Sequence, residues 1–137
     1  MWERTQGELR FVVEHRSQNG DGGATLRVLS AGNDASEWLR FDCFDKGPHF
    51  HIAPCGRDEI TAMDPLADNI GWTLDELRSD LRGYLKRAGC EADPGSHAEI
   101  SDALAAVEAN MRNPEGPVDD LENHVADRGL VACVRRG

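Results

Sequence analysis

Two histidines one residue apart, His49 and His51, sit in the stretch RFDCFDKGPHFHIAPCGRDEI with carboxylates on both sides. A histidine held by a carboxylate has its tautomer fixed and its conjugate acid stabilised, which suits proton transfer near neutral pH. Two imidazoles with one or two carboxylates are also a ligand set for zinc, iron or another divalent transition metal. On a strand, His-x-His directs both rings to one side, roughly 6.5–7 Å apart at the backbone, a span that one ion can bridge. What these residues can do therefore depends on strand phase.

Turn chemistry gives a first estimate of that phase. A four-residue loop, Asp45–Lys46–Gly47–Pro48, would set Asp42 opposite His51, Phe44 opposite His49 and Cys43 opposite Phe50, so that apolar and polar sets match across the pair. A three-residue loop would drop both histidines among Phe41 and Cys43, against the hydrophobic pattern. The next turn reads as a three-residue hairpin, Pro54–Cys55–Gly56, which would pair Ala53 with Arg57, Glu59 with His51 and Thr61 with His49.

These registers define an expected site on the sheet face that the helices leave bare. His51 is the acid–base group, oriented by Asp42 or Glu59, and His49 is a second donor. Arg40 would hold a substrate carboxylate, Trp38 and Phe44 would form apolar walls, and Thr61 lies beside His49. Under the metal reading, His49 and His51 are ligands, and Asp42, Glu59, His15 and Cys55 compete for third place.

The elements that must carry this site fall into two halves. Strands dominate residues 1–63: ELRFVVEH, ATLRVLSA, EWLRFDCF, HFHIA and DEITAM alternate at period two, with the Gly-rich RSQNGDGG read as a flexible loop. Helices dominate residues 64–129. A capping box at Thr73 and Glu76 opens the first, whose stripe is Leu74, Leu77, Leu81, Tyr84, Leu85 and Ala88 and whose end is Gly89. Ser96 and Glu99 open a second, with Ile100, Leu104, Val107 and Met111 on one face. Pro117 starts a third, closed by Gly129, and residues 130–137 form a terminal strand or tail. Strands followed by helices indicate an α+β fold, an antiparallel sheet of about five strands with about three helices on one face. At 137 residues the chain is expected to be a single domain. The leucine stripe could serve as a dimer seam only where the sheet leaves it uncovered.

Charge and cysteine usage narrow the partners. Residues 91–127 carry ten acids against Arg112 alone, and the rest of the chain is nearly neutral, for a net charge of −10. That third of the chain would repel a phosphate backbone, which disfavours nucleic acid; Asp119, Asp120 and Glu122 offer a face for a basic protein instead. The two function classes are thus an enzyme acting on a small molecule and a non-catalytic acidic module of antitoxin, immunity or regulatory type. No apolar run is long enough for a membrane span and the N-terminus has no signal-peptide pattern. Four cysteines, Cys43, Cys55, Cys90 and Cys133, form no C-x-x-C pair, so reduced thiols in a cytoplasm are expected. Lys46 and Lys86 are the only lysines beside thirteen arginines, a usage associated with GC-rich bacterial genomes.

LRFDCFDKGPHFH followed by WTLDELRSDLRGYLKRAG, about residues 37–90, resembles small bacterial proteins that join such a strand pair to a leucine-rich helix. The resemblance implies an α+β fold and assigns no catalytic residue. The strand pair is also similar to small toxin–antitoxin RNases with histidine-rich hairpins, which tend to be basic; the acidity here argues against RNase activity. The His-x-His is similar to the first cupin motif, but Gly47 is too close, Glu59 too late and the second half helical, which excludes that family.

Overall fold

Period-two alternation builds the sheet, and short links between successive strands fix its order. The computed structural model describes residues 1–32 and 36–115. Six strands follow one another across one antiparallel sheet: β1 (Trp2–Gln6), β2 (Leu9–Gln18), β3 (Asp21–Ser30), β4 (Glu37–Phe44), β5 (His49–Ile52) and β6 (Glu59–Ala62). Two helices follow among the described residues, α1 (Asn69–Ala88) and α2 (His97–Met111). The α+β class and the antiparallel sheet are as expected, with one strand more than the five anticipated. The extra strand is β1, whose WERTQ carries little apolar signal because it is a sheet edge, paired on one side with β2 from Gln6↔Leu9 to Trp2↔Val13. The expected helix from Pro117 to Gly129, and the tail after it, lie outside the described residues.

The segment read as a flexible loop is a tight hairpin. Gln18 pairs with Asp21, and the two residues between them, Asn19 and Gly20, are both left-handed (φ 52° and 80°). Asn-Gly is the pair that a two-residue turn of matching twist demands. β2 and β3 consequently run ten residues each and bring Arg16 and Asp21 to the end of the sheet where the histidines lie.

Helix α1 begins earlier than the Thr73 capping box implies. Asp68 is the N-cap, its carboxylate accepting from the Gly71 N–H, and Thr73 is buried one turn inside. The helix bends at Asp80 (φ −153°), whose carboxylate accepts from the Gly83 N–H at 3.0 Å and so re-caps the second half. Gly89 closes it left-handed, as expected. Helix α2 keeps its expected capping box at Ser96 and Glu99.

Both predicted stripes are buried, and they meet Leu9, Phe11, Leu26, Val28, Leu39, Phe41, Phe50 and Ile52 in a single cluster. The sheet thus covers the leucine stripe, and the condition for a dimer seam along it is not met. Neither described helix is long and apolar enough to cross a membrane.

Candidate functional site

The face turned away from the helices is polar and yet largely buried: Thr25, Arg27, Glu37, Asp42 and His51 are each less than a tenth exposed. Two rows of side chains cross it. One runs Glu14, Thr25, Asp42, His49 from β2 to β5, and the next runs Val12, Arg27, Arg40, His51. Carboxylates and guanidiniums interleave, so each charge has a counter-charge. Arg27 bonds Glu37 at 2.8 Å and Glu14 at 3.1 Å, while Arg16 reaches Asp42 at 3.1 Å. Gly23 makes room for this last contact, since it stands between Arg16 and Phe44 in the neighbouring strands. A Cβ there would lie 2.3 Å from the Cys43 carbonyl oxygen, and the bare position lets the Arg16 guanidinium lie over the Phe44 ring, 5.9 Å from its centroid.

Asp42 is the hub. Its Oδ1 accepts from the Thr25 hydroxyl at 2.7 Å and from Arg16. Its Oδ2 lies 3.1 Å from His49 Nε2, 3.5 Å from His51 Nε2 and 3.4 Å from Arg40 Nε. Burial alone would raise this carboxyl's pKa; hydrogen bonds from His51 and Thr25 and the charges of Arg40 and His49 override it and hold it well below the usual carboxylate range. His51 is shifted upward, chiefly by its hydrogen bond to Asp42, with burial opposing, Asp58 adding and Arg40 subtracting.

The outer nitrogens of both rings are also engaged. His49 Nδ1 lies 2.9 Å from the Gly47 carbonyl oxygen, and His51 Nδ1 lies 2.7 Å from Asp58 Oδ1. A carbonyl or carboxylate oxygen only accepts, so each Nδ1 carries the hydrogen and each neutral ring has its lone pair on Nε2. Both lone pairs therefore converge on Asp42 Oδ2. Three acceptors directed at one another are reconciled by a cation: a proton on a ring nitrogen, the neighbouring Arg40 guanidinium, or a metal ion. Ligand atoms of Asp42, His49 and His51 all lie within 4.8 Å of one another, so the trio could hold a metal ion. Outer partners on metal-bound imidazoles are the usual device for fixing tautomer and ring angle.

The strand registers differ from the expected ones, in instructive ways. β5 is slid by two residues, pairing Asp42 with His49 and Arg40 with His51. The cause is Asp21: its carboxylate accepts from the backbone N–H of Gly22, Lys46 and Gly47, pinning the connection to β3 and widening the turn. An even slip leaves every face unchanged, so the histidines still emerge beside Asp42. β6 is slid by an odd number, pairing His51 with Ile60 and Ile52 with Glu59. Glu59 and Thr61 therefore share the face of Phe50 and Ile52. Glu59 is exposed beside Arg57, and Thr61 borders a pocket with Phe50, Met63, Trp72 and Tyr84. The turn that flips them spans Ala53 to Asp58, with both end residues left-handed (φ 57° and 51°) and two N–H groups, of Gly56 and Asp58, on the Ala53 carbonyl. Asp58 thereby takes the place beside His51 that Glu59 was expected to fill. Its position in a turn hid it; a carboxylate seven residues after a histidine carries no sequence signal.

Arg40 and Phe44 stand where expected, at the cluster's border, Phe44 with its ring edge-on to His49 at 6.0 Å between centroids. Trp38 does not. A register shift between Val28 and Leu29 pairs Leu29 with Glu37, which brings Glu37 to Arg27 and Arg40, and Trp38 packs against the core with its indole N–H on Ser30 Oγ. His15 Nε2 contacts the Asn110 carbonyl of α2, and Cys55 borders a pocket with Trp38 and Ala88, so neither joins the cluster. Cys43 and Cys90 are free and buried, with the Cys43 thiol pushed up to about 11, chiefly by burial. Cys55 is disulfide-bonded, unlike the reduced state expected of it, and Cys133 lies outside the described residues.

An open cleft of about 230 Å³ borders α1 and α2, but the larger one, about 610 Å³, lies over the histidines. Arg16, Arg40, Asp42, Lys46, His49 and His51 line it with Asn19 and Asp21 from the β2–β3 hairpin. On the opposite side of the molecule two acids of α2 are matched within the chain: Asp102 pairs with Arg4, and Glu108 with Arg78 and Arg112. Asp119, Asp120 and Glu122 lie outside the described residues.

Fold and site together define a small α+β protein with a polar sheet face that gathers two imidazoles and a carboxylate under an open cleft. Residues 5–111 match the family model of a domain of unknown function, DUF7700, and the chain belongs to that family. No curated protein and no solved structure matches it.

Proposed function

We propose that the cleft is the active site of a metal-dependent enzyme acting on a small polar molecule, with a divalent transition ion such as zinc or iron held by Asp42, His49 and His51. The observation that carries this reading is the convergence of three acceptor atoms, two Nε2 lone pairs and Oδ2, with Gly47 and Asp58 fixing both tautomers from behind. Two histidines and one carboxylate bind three positions of an ion and leave others for water or substrate, which suits catalysis better than a closed structural site. The open cleft supplies that access. A bound ion would polarise a substrate oxygen or acidify a bound water, and His51, already tied to Asp58, would be held rigidly as its ligand. Phe44 supplies an apolar wall beside His49.

Metal analysis of the purified protein and titration with Co²⁺ test the proposal. One equivalent should bind with a visible spectrum of nitrogen and oxygen ligation, and His49→Ala, at the half-exposed ligand, should weaken it at least about ten-fold. Stoichiometric binding that survives His49→Ala and His51→Ala together would place the ion elsewhere. Absence of binding by zinc, iron and cobalt alike would leave the histidines as acid–base groups without a metal.

A further inference from the structure

Within the cluster, Arg40 is left incompletely satisfied by the metal-free arrangement. Its Nε is buried and has no hydrogen-bond partner, lying 3.4 Å from Asp42 Oδ2 without the geometry of a bond. Its Nη2 is 3.0 Å from His51 Nε2, and when the ring is neutral with its hydrogen on Nδ1 the guanidinium donates to that lone pair. Nε–H and Nη2–H are the two parallel donors of one edge of the guanidinium. Resting on the metal reading above, loading an ion takes the His51 lone pair from Nη2 and claims Asp42 Oδ2, the oxygen nearest the already unpartnered Nε. Arg40 is then a cation next to a second cation, with a two-pronged donor edge and nothing to receive it. Glu37, 3.6 Å from Nη1, holds the other edge in place.

From this we infer that the metal-loaded site takes a small oxyanion, a carboxylate or a phosphate, docked bidentate on the Nε/Nη2 edge of Arg40 beside the ion. Metal and anion binding are cooperative as a consequence. Three bases, Arg16, Arg40 and Lys46, line the cleft against two acids, Asp21 and Asp42, while Glu14 and Glu37 pair with Arg16 and Arg40; a divalent ion adds positive charge where the anion would sit. Asp21 is already committed to three backbone N–H groups. Guanidinium forks match two-oxygen anions in geometry as well as charge, which a lysine cannot do.

The test titrates acetate and inorganic phosphate, with acetamide as the uncharged control, into metal-free and Co²⁺-loaded protein, reading the cobalt spectrum and binding heat. Acetate or phosphate should bind the loaded protein at least about ten-fold more tightly than the metal-free protein, and acetamide should not. The stronger of the two identifies the anion class. Arg40→Gln and Arg40→Lys should both keep Co²⁺ binding and both lose about ten-fold in anion affinity, the lysine variant because charge survives without the fork. Equal anion affinity with and without Co²⁺, or wild-type affinity in Arg40→Lys, overturns the inference while leaving the metal site standing. Failure of Co²⁺ to bind both with and without acetate or phosphate overturns both.

Discussion

Asp58 is the sharpest place to test the site, because the same carboxylate should matter greatly to the ion and little to the fold. Consider Asp58→Asn. Asparagine tolerates the left-handed backbone that this position requires (φ 51°), so the turn should survive. Its side chain is 41% exposed and holds one contact, 2.7 Å to His51 Nδ1, so solvent screening limits the loss of stability to about 0.5–1 kcal/mol. Ligand tuning is another matter. Outer partners of metal-bound imidazoles are worth roughly ten- to a hundred-fold in affinity, and because the amide oxygen still accepts from Nδ1 the lower end applies. Co²⁺ affinity should fall about ten-fold, about 1.4 kcal/mol. In the metal-free protein, NMR titration should show the His51 pKa falling, since one of the groups that raise it has lost its charge. An unchanged Co²⁺ affinity together with an unchanged His51 titration would refute the assignment of Asp58 to this site. A large loss of stability would mean instead that the carboxylate holds the turn.

Three further outcomes follow from the same geometry. Asp42→Ala strips a counter-charge from Arg16 and Arg40 and an acceptor from the buried Thr25 hydroxyl; urea denaturation should report a loss of about 3–5 kcal/mol. For the metal-free protein, the depressed Asp42 pKa gives stability that is present above about pH 4 and lost as pH falls toward its folded value. The raised His51 pKa gives stability that is full below about pH 6.5 and lost as pH rises through its folded value. Urea midpoints should therefore peak between those limits without metal and shift to higher pH with Co²⁺, because ligation requires deprotonated imidazoles. Gly23→Ala drives a Cβ to 2.3 Å from the Cys43 carbonyl and must part β3 from β4; thermal melts should reveal a loss of about 3 kcal/mol, and Arg16 should lose its seat over Phe44.

Periodicity and capping carried most of the architecture in the sequence itself. The stripes from Leu74 to Ala88 and from Ile100 to Met111 are the buried faces of both helices, and the Ser96–Glu99 box starts α2 where it should. Alternation in EWLRFDCF and HFHI was enough to put His49, His51, Asp42 and Arg40 on one face, since a face is set by parity and an even slip of register preserves it. Which atoms meet was decided by contacts between residues far apart in the chain. Asp21 pins the β4–β5 connection and slides the pairing by two; the left-handed ends of the Ala53–Asp58 turn shift β6 by an odd step. That step turns Glu59 away and delivers Asp58 to His51. The bulge that exchanges Glu37 for Trp38 on the polar face has the same character. Local patterns bias each residue toward a side of the sheet, but the partner across the gap is chosen by turn geometry and by which distant donors a carboxylate captures, and neither is written in the spacing of the residues that do the chemistry.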